Sequence, residues 1–205
     1  MTSDDATREA DGILEVSDSH CVVVRFERVL DHPVERVWAA ITEPDQLAAW
    51  WGVADVTLAR GGSFVLEWRN TDEQGNRATM HATITALDPP RLLELTGDLH
   101  GVLRFALRPT GEATTHLSFT STLALPDEFR TKVLAGWHFH LDSLARSLDG
   151  QAVDLAGLPG WQEIHEHYVA GVPTDAARLS AQPGDHDSRP GALPHSPINP
   201  SAPGA

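Results

Sequence analysis

A single cysteine, Cys21, leaves this 205-residue chain without an internal disulfide or a multi-cysteine metal site. It stands at the head of an apolar run, where a thiol behaves as a small hydrophobe. Basic residues are also scarce: 15 Lys and Arg face 29 Asp and Glu, and they form no cluster. A formal charge of −14 repels a phosphate backbone, so no nucleic acid is expected as a partner. No apolar run approaches the roughly 20 residues needed to cross a bilayer, so no membrane insertion is expected. The opening Met1 to Asp11 is acidic and has no apolar centre, the reverse of a signal peptide. These absences together predict a soluble, cytoplasmic protein. A Gly-x-Ser-x-Gly elbow, a phosphate-cradling loop and a dinucleotide fingerprint are missing too, and no cofactor is expected.

What is present divides the chain into three parts. Residues 1–20 carry six acids against Arg8 alone, and predict a disordered acidic segment in which Ile13, Leu14 and Val16 could add one short strand. Residues 173–205 hold seven of the fourteen prolines, spaced by Gly, Ser and Ala with no periodic apolar face, and predict a disordered Pro-rich tail. Residues 21–172 between them predict one domain.

Within it, Cys21 to Leu30 begins as an apolar run and then alternates, as a half-buried strand does. Pro33 suits a helix start, and Val34, Val37, Trp38 and Ile41 follow at helical spacing. Pro44 opens a second short helix with Leu47, Trp50 and Trp51, stopped at Gly52. Strand signals follow: Phe64, Leu66 and Trp68; Met80, Ala82, Ile84 and Ala86; Arg91 to Thr96; Val102 to Leu107; Thr115 to Leu123. Their short connections force antiparallel pairing. After Pro126 the period changes. Phe129, Val133, Trp137, Leu141, Leu144 and Leu148 form one helical stripe that ends at Gly150. Five to seven strands and one long amphipathic helix must bury their apolar faces together, so the expected class is α+β, a curved antiparallel sheet wrapped around a long C-terminal helix.

The run from Arg28 to Trp51, with Asp31-His-Pro-Val-Glu-Arg-Val-Trp38 and Trp50-Trp51, resembles the opening of the START-like, helix-grip (SRPBCC) superfamily. Gly61-Gly-Ser-Phe64, Leu87-Asp-Pro-Pro-Arg-Leu92, Gly136-Trp137 and Leu141-Asp-Ser-Leu144 resemble, in order and spacing, its branch of homologues of the activator of the heat-shock-protein-90 ATPase. The likeness covers about residues 21–150, with Trp161 to Tyr168 as a terminal extension. It implies the helix-grip fold. It also implies one of several activities: hydrophobic-ligand binding, polyketide cyclisation or co-chaperone work, among which fold alone does not choose.

The histidines supply no obvious chemistry. Alternation turns His81 and His116 outward, and His100 falls at a strand connection, so three strand-borne histidines read as separate surface or rim residues and not as a metal site. His138 and His140 are two apart and cannot share a helix face; His165 and His167 fail the same test. Only His140 is placed near the apolar stripe. Arg104 alternates outward. The expected site is therefore apolar: Phe64, Leu66, Trp68, Met80, Ile84 and Phe105 from the sheet, with Trp137, His140, Leu141 and Leu144 from the helix, enclosing a cavity. Non-catalytic binding of a hydrophobic or aromatic small molecule is the leading expectation. A cyclase-like or hydrolase-like enzyme in the same cavity is the alternative, and its mark would be a His, Glu or Arg turned inward and shielded from water. A co-chaperone or protein-interaction module is the third, although the sequence indicates no protein partner.

Overall fold

The computed structural model describes residues 11–16, 21–71, 74–98 and 100–171. Residues 1–10 and 17–20 of the acidic segment, and the whole tail expected over 173–205, lie outside the described residues. Strands β1 (Ile13–Val16), β2 (Cys21–Leu30), β3 (Val53–Val56), β4 (Ser63–Glu67), β5 (Thr79–Asp88), β6 (Leu92–Gly97), β7 (Val102–Gly111) and β8 (Thr114–Ala124) form one antiparallel sheet in the order β1-β2-β8-β7-β6-β5-β4-β3. Helices α1 (Val34–Thr42) and α2 (Pro44–Leu47) follow β2, and a short turn of 3-10 helix, Asp127–Phe129, leads into α3 (Arg130–Leu148). A final helix, α4 (Trp161–Gly171), packs against α3. The class is α+β and the arrangement is the helix grip, with two short helices after the first long strand.

One strand exceeds what alternation disclosed: β3 is four residues of mixed polarity on one sheet edge. On the other edge β1 is the short strand that Ile13, Leu14 and Val16 could add. β5 also departs from strict alternation. A register shift between Ile84 and Ala86 inserts an extra residue, so Leu87 and not Ala86 packs against the core beyond it.

Register explains how the sheet grips α3. Phe26 on β2 is opposite Phe119 on β8, which is opposite Phe105 on β7, giving an aromatic row across three central strands. Phe119 and Phe105 have ring centroids 4.8 Å apart, and Trp137 of α3 rests on Phe119 at 4.2 Å. Leu134, Leu141, Leu144 and Leu148 extend the buried face of the helix on either side. The Trp50-Trp51 pair after α2 fills the next layer. Trp50 donates its indole N–H to the Ala40 carbonyl at 2.8 Å, while Trp51 packs against Phe64, Phe105 and Trp137.

On the opposite face of α3 a polar network ties the two ends of the fold. The Gly12 N–H donates to the Tyr168 hydroxyl at 2.7 Å, and that hydroxyl lies 2.9 Å from His138 Nδ1. With one N–H already donated to its oxygen, Tyr168 directs its own proton to Nδ1, leaving Nε2–H of His138 to donate to Asp142 at 3.2 Å. Burial opposes ionisation of Asp142, yet His138 and Arg28 outweigh it and hold the carboxyl below its ordinary range. Burial likewise pushes the Tyr168 hydroxyl up, so it stays protonated. His167 adds a bond to Asp11 at 2.8 Å. Removing the hydroxyl by Tyr168→Phe orphans both the Gly12 N–H and His138 Nδ1, and should cost about 1–3 kcal/mol in urea unfolding. An unchanged midpoint would show that Tyr168 does not join β1 and α4 to the body.

Candidate functional site

Trp137 covers only part of the sheet's inner face. Toward the N-terminal end of α3 the helix and the sheet separate, and a cavity of about 590 Å³ lies between them. Its helix wall is Phe129, Lys132, Val133, Gly136, Trp137, Phe139 and His140. Trp51, Trp68, Asn70, Ala78, His100 and Leu125 line it from the sheet and its connections, and Leu158 and Trp161 form the lip next to α4. Four of the chain's six tryptophans are in these walls.

Gly136 explains part of the space. A Cβ built there would meet nothing within 4 Å, and the residue sits in the middle of α3 on the cavity wall. A helix-interior glycine is about 1 kcal/mol less favourable than alanine, so the empty position is kept at a local cost in helix stability.

Three of the ten expected site residues line the cavity: Trp68, Trp137 and His140. The other seven do not. Phe64, Leu66, Met80, Ile84, Phe105, Leu141 and Leu144 are all fully buried in the continuous core, where they fill the grip instead of bordering the gap. Alternation and helical period identify the inward face correctly, but they do not say where along that face the two layers part. Phe129 and Val133 of the helical stripe also bound the gap, and Asn70, Ala78, Leu125 and Leu158 join them from turns and strand ends, where periodicity has nothing to report.

His100 is the main correction. Its place at a strand connection suggested a rim residue, yet it turns inward between Trp68 and Trp137, with ring centroids at 5.2 and 5.6 Å. The turn between β6 and β7 enforces this. Gly101 has φ +61°, and a Cβ there would collide with the Thr122 carbonyl, so the chain closes tightly over β8. Ser121 also donates its hydroxyl to the His100 carbonyl at 3.3 Å. A glycine at position 101 was the only sequence signal available, and it marks the turn but not the inward direction of the side chain. His81 is exposed, His116 pairs with Glu27 at 3.3 Å, and Arg104 pairs with Glu94 at 2.8 Å, all outside the cavity.

His140 meets the cavity from the helix side. The Trp50 carbonyl, 3.2 Å from its Nδ1, can only accept, so Nδ1 carries the proton and Nε2 the lone pair. Among the described residues nothing bonds that Nε2. Burial lowers the His140 pKa to about 4, the Trp50 carbonyl partly opposes this, and the neighbouring His100 reinforces it. Burial also lowers His100 to about 4, against the influence of Asp98. Both imidazoles are thus neutral at ordinary pH. Among the cavity-lining residues, the indole N–H groups of Trp51 and Trp137 and the Nδ1 of His100 are also buried without hydrogen-bond partners. Among the described residues no cluster of three or more His, Cys, Asp or Glu is placed to hold a metal ion, and no helix is long and apolar enough to cross a membrane.

The two depressed histidines make a pH prediction. An unfolded histidine takes up a proton near 6.5, whereas these refuse it until about 4, so the unfolded chain binds protons first as pH falls. The stability they support is complete above about pH 6.5 and is lost progressively toward pH 4. Urea unfolding at pH 7.5 and pH 5 should therefore show a drop that shrinks in a His100→Asn, His140→Gln double variant. Equal drops in both proteins would contradict the assignment.

The comparisons with known proteins agree with this geometry at the level of fold. A conserved Enterococcus faecalis protein of unknown function superposes with a TM-score of 0.61 at 22% identity, covering 80% of this chain and 91% of that one. CalU16 from Micromonospora echinospora superposes at 0.58 with 22% identity, over 83% of this chain and 96% of its own. A Streptomyces avermitilis protein provisionally named a hydro-lyase is 27% identical over 180 residues, or 82% of this chain. The match spans 60% of that relative's length. Residues 31–149 match the family described as Activator of Hsp90 ATPase homolog 1-like protein, and this chain belongs to it.

Proposed function

We propose that this protein binds a hydrophobic, aromatic small molecule in the cavity at the N-terminal end of α3. The observation that carries this reading is the combination of aromatic walls with an unfilled helical glycine. Trp51, Trp68, Trp137 and Trp161 supply flat apolar surface, and Gly136 leaves room where almost any other residue would stabilise the helix better. A volume of about 590 Å³ is within the ordinary range for small-molecule sites. A flat ligand that buries roughly 200 Å² of apolar area gains about 5 kcal/mol before ordering costs are subtracted.

The enzymatic alternative has one observation in its favour, the two histidines turned into the cavity. Their low pKa counts against it. A general base works best when its pKa lies near the working pH, and an imidazole that protonates only at about 4 is a weak one. Such groups serve better as neutral hydrogen-bonding partners. For the protein-interaction alternative, the exposed large apolar residues would have to gather into one patch. Ile13 and Val53 stand instead on opposite edges of the sheet.

Gly136→Leu tests the binding reading without weakening the fold, because the new side chain enters open space and a glycine leaves a helix. Thermal stability should hold or rise, while naphthalene, followed by quenching of tryptophan fluorescence, should bind at least about tenfold more weakly, or 1.4 kcal/mol. Binding to the parent protein should also be nearly unchanged between about 0.05 and 0.5 M salt, since screening acts on charges and not on apolar contact. Undiminished binding to the variant would place the ligand elsewhere.

A further inference from the structure

We infer that the ligand carries a neutral hydroxyl on its aromatic ring and buries it against His140 and His100. This deepens the small-molecule reading and rests on it. The deep polar groups of the cavity have a definite hydrogen-bonding character. His140 offers a lone pair at Nε2, because its only proton is committed to the Trp50 carbonyl at 3.2 Å. A ligand atom that faces Nε2 must therefore donate. His100, packed edge-on against Trp137 as His140 is, brings a second imidazole to the same end of the cavity. A neutral imidazole always has one N–H and one lone pair, so it can donate to an oxygen whose own proton goes to its neighbour. A hydroxyl is the smallest group that both donates and accepts.

The charged alternatives fit less well. A carboxylate would meet the His140 lone pair, and the histidines resist the protonation that would give it a counter-charge. The chain's single lysine, Lys132, stands in the wall but is exposed at the rim, with its ammonium over the Phe129 ring at 5.4 Å. It can meet an anionic substituent that projects to solvent, but not one at the deep end. An ether or a bare ring leaves Nε2 without a partner after water has been expelled, and that loss is what distinguishes these compounds from a hydroxylated one.

Four probes on one ring system test the assignment: naphthalene, 2-methoxynaphthalene, 2-naphthol and 2-naphthoate, titrated at pH 7 against the full chain. The expected order places 2-naphthol about tenfold tighter than 2-methoxynaphthalene, with 2-naphthoate weakest. His140→Phe, accepted for comparison only if its circular dichroism and unfolding match the parent, should abolish the advantage of the hydroxyl and keep naphthalene binding. The probe series on the parent protein decides the question even if that variant fails to fold. Equal affinity for 2-naphthol and 2-methoxynaphthalene would overturn the hydroxyl assignment while leaving the apolar cavity intact. Tightest binding by 2-naphthoate would overturn it in favour of an anion. Failure of all four to bind would remove the small-molecule reading itself, and this assignment with it.

Discussion

Trp137 on Phe119, at a centroid separation of 4.2 Å, is the contact on which the rest of the arrangement turns. Phe119 sits in the middle of the row that joins β2, β8 and β7, so the indole fixes the height of α3 above the centre of the sheet. Toward the C-terminal half, Leu141, Leu144 and Leu148 close the space below the helix completely. Toward the N-terminal half, Gly136 and Val133 are too small to do so at the same height, and the layers part. The cavity is thus a consequence of side-chain size along one helix whose position is set by a single large residue.

That geometry decides the chemistry of the space. Two imidazoles enter it from different elements, and burial keeps both neutral, with pKa values near 4. The nearby backbone carbonyl of Trp50 selects the tautomer of His140 and connects the site to the turn after α2. The Trp50 side chain in turn is anchored to α1 through Ala40. Polar character at the bottom of the pocket therefore depends on packing two layers away. On the other face of the same helix, His138 serves a different purpose, joining Tyr168 and Asp142 in the network that ties the chain ends together. Two histidines separated by one residue have unrelated duties because a helix turns them about 200° apart.

Much of the fold was legible in the sequence. The period-two runs found the long strands, the prolines opened the short helices, and the stripe from Phe129 to Leu148 found α3. The inner face was also assigned correctly for β4, for β5 as far as Ile84, and for α3 from Val133 to Leu148. What alternation could not supply was depth. Phe64 and Trp68 read identically as inward residues, yet one is sealed in the core and the other borders the cavity, because strand β4 ends between them. His100 was misplaced for a related reason. Its direction is set by the Gly101 turn closing onto β8, a contact between residues far apart in the chain that no local pattern encodes. The slip at Ile84 and Ala86 is another feature of pairing, not of composition.

The neutral state and fixed tautomer of His140 are the centre of this account, and nitrogen-detected NMR of the imidazole rings reports both directly. At pH 6, His140 should give the shift pattern of a neutral ring with Nδ1 protonated and Nε2 bare, unchanged as pH is lowered to 5. A ring that carries protons on both nitrogens at pH 6, or one protonated at Nε2 alone, would contradict it.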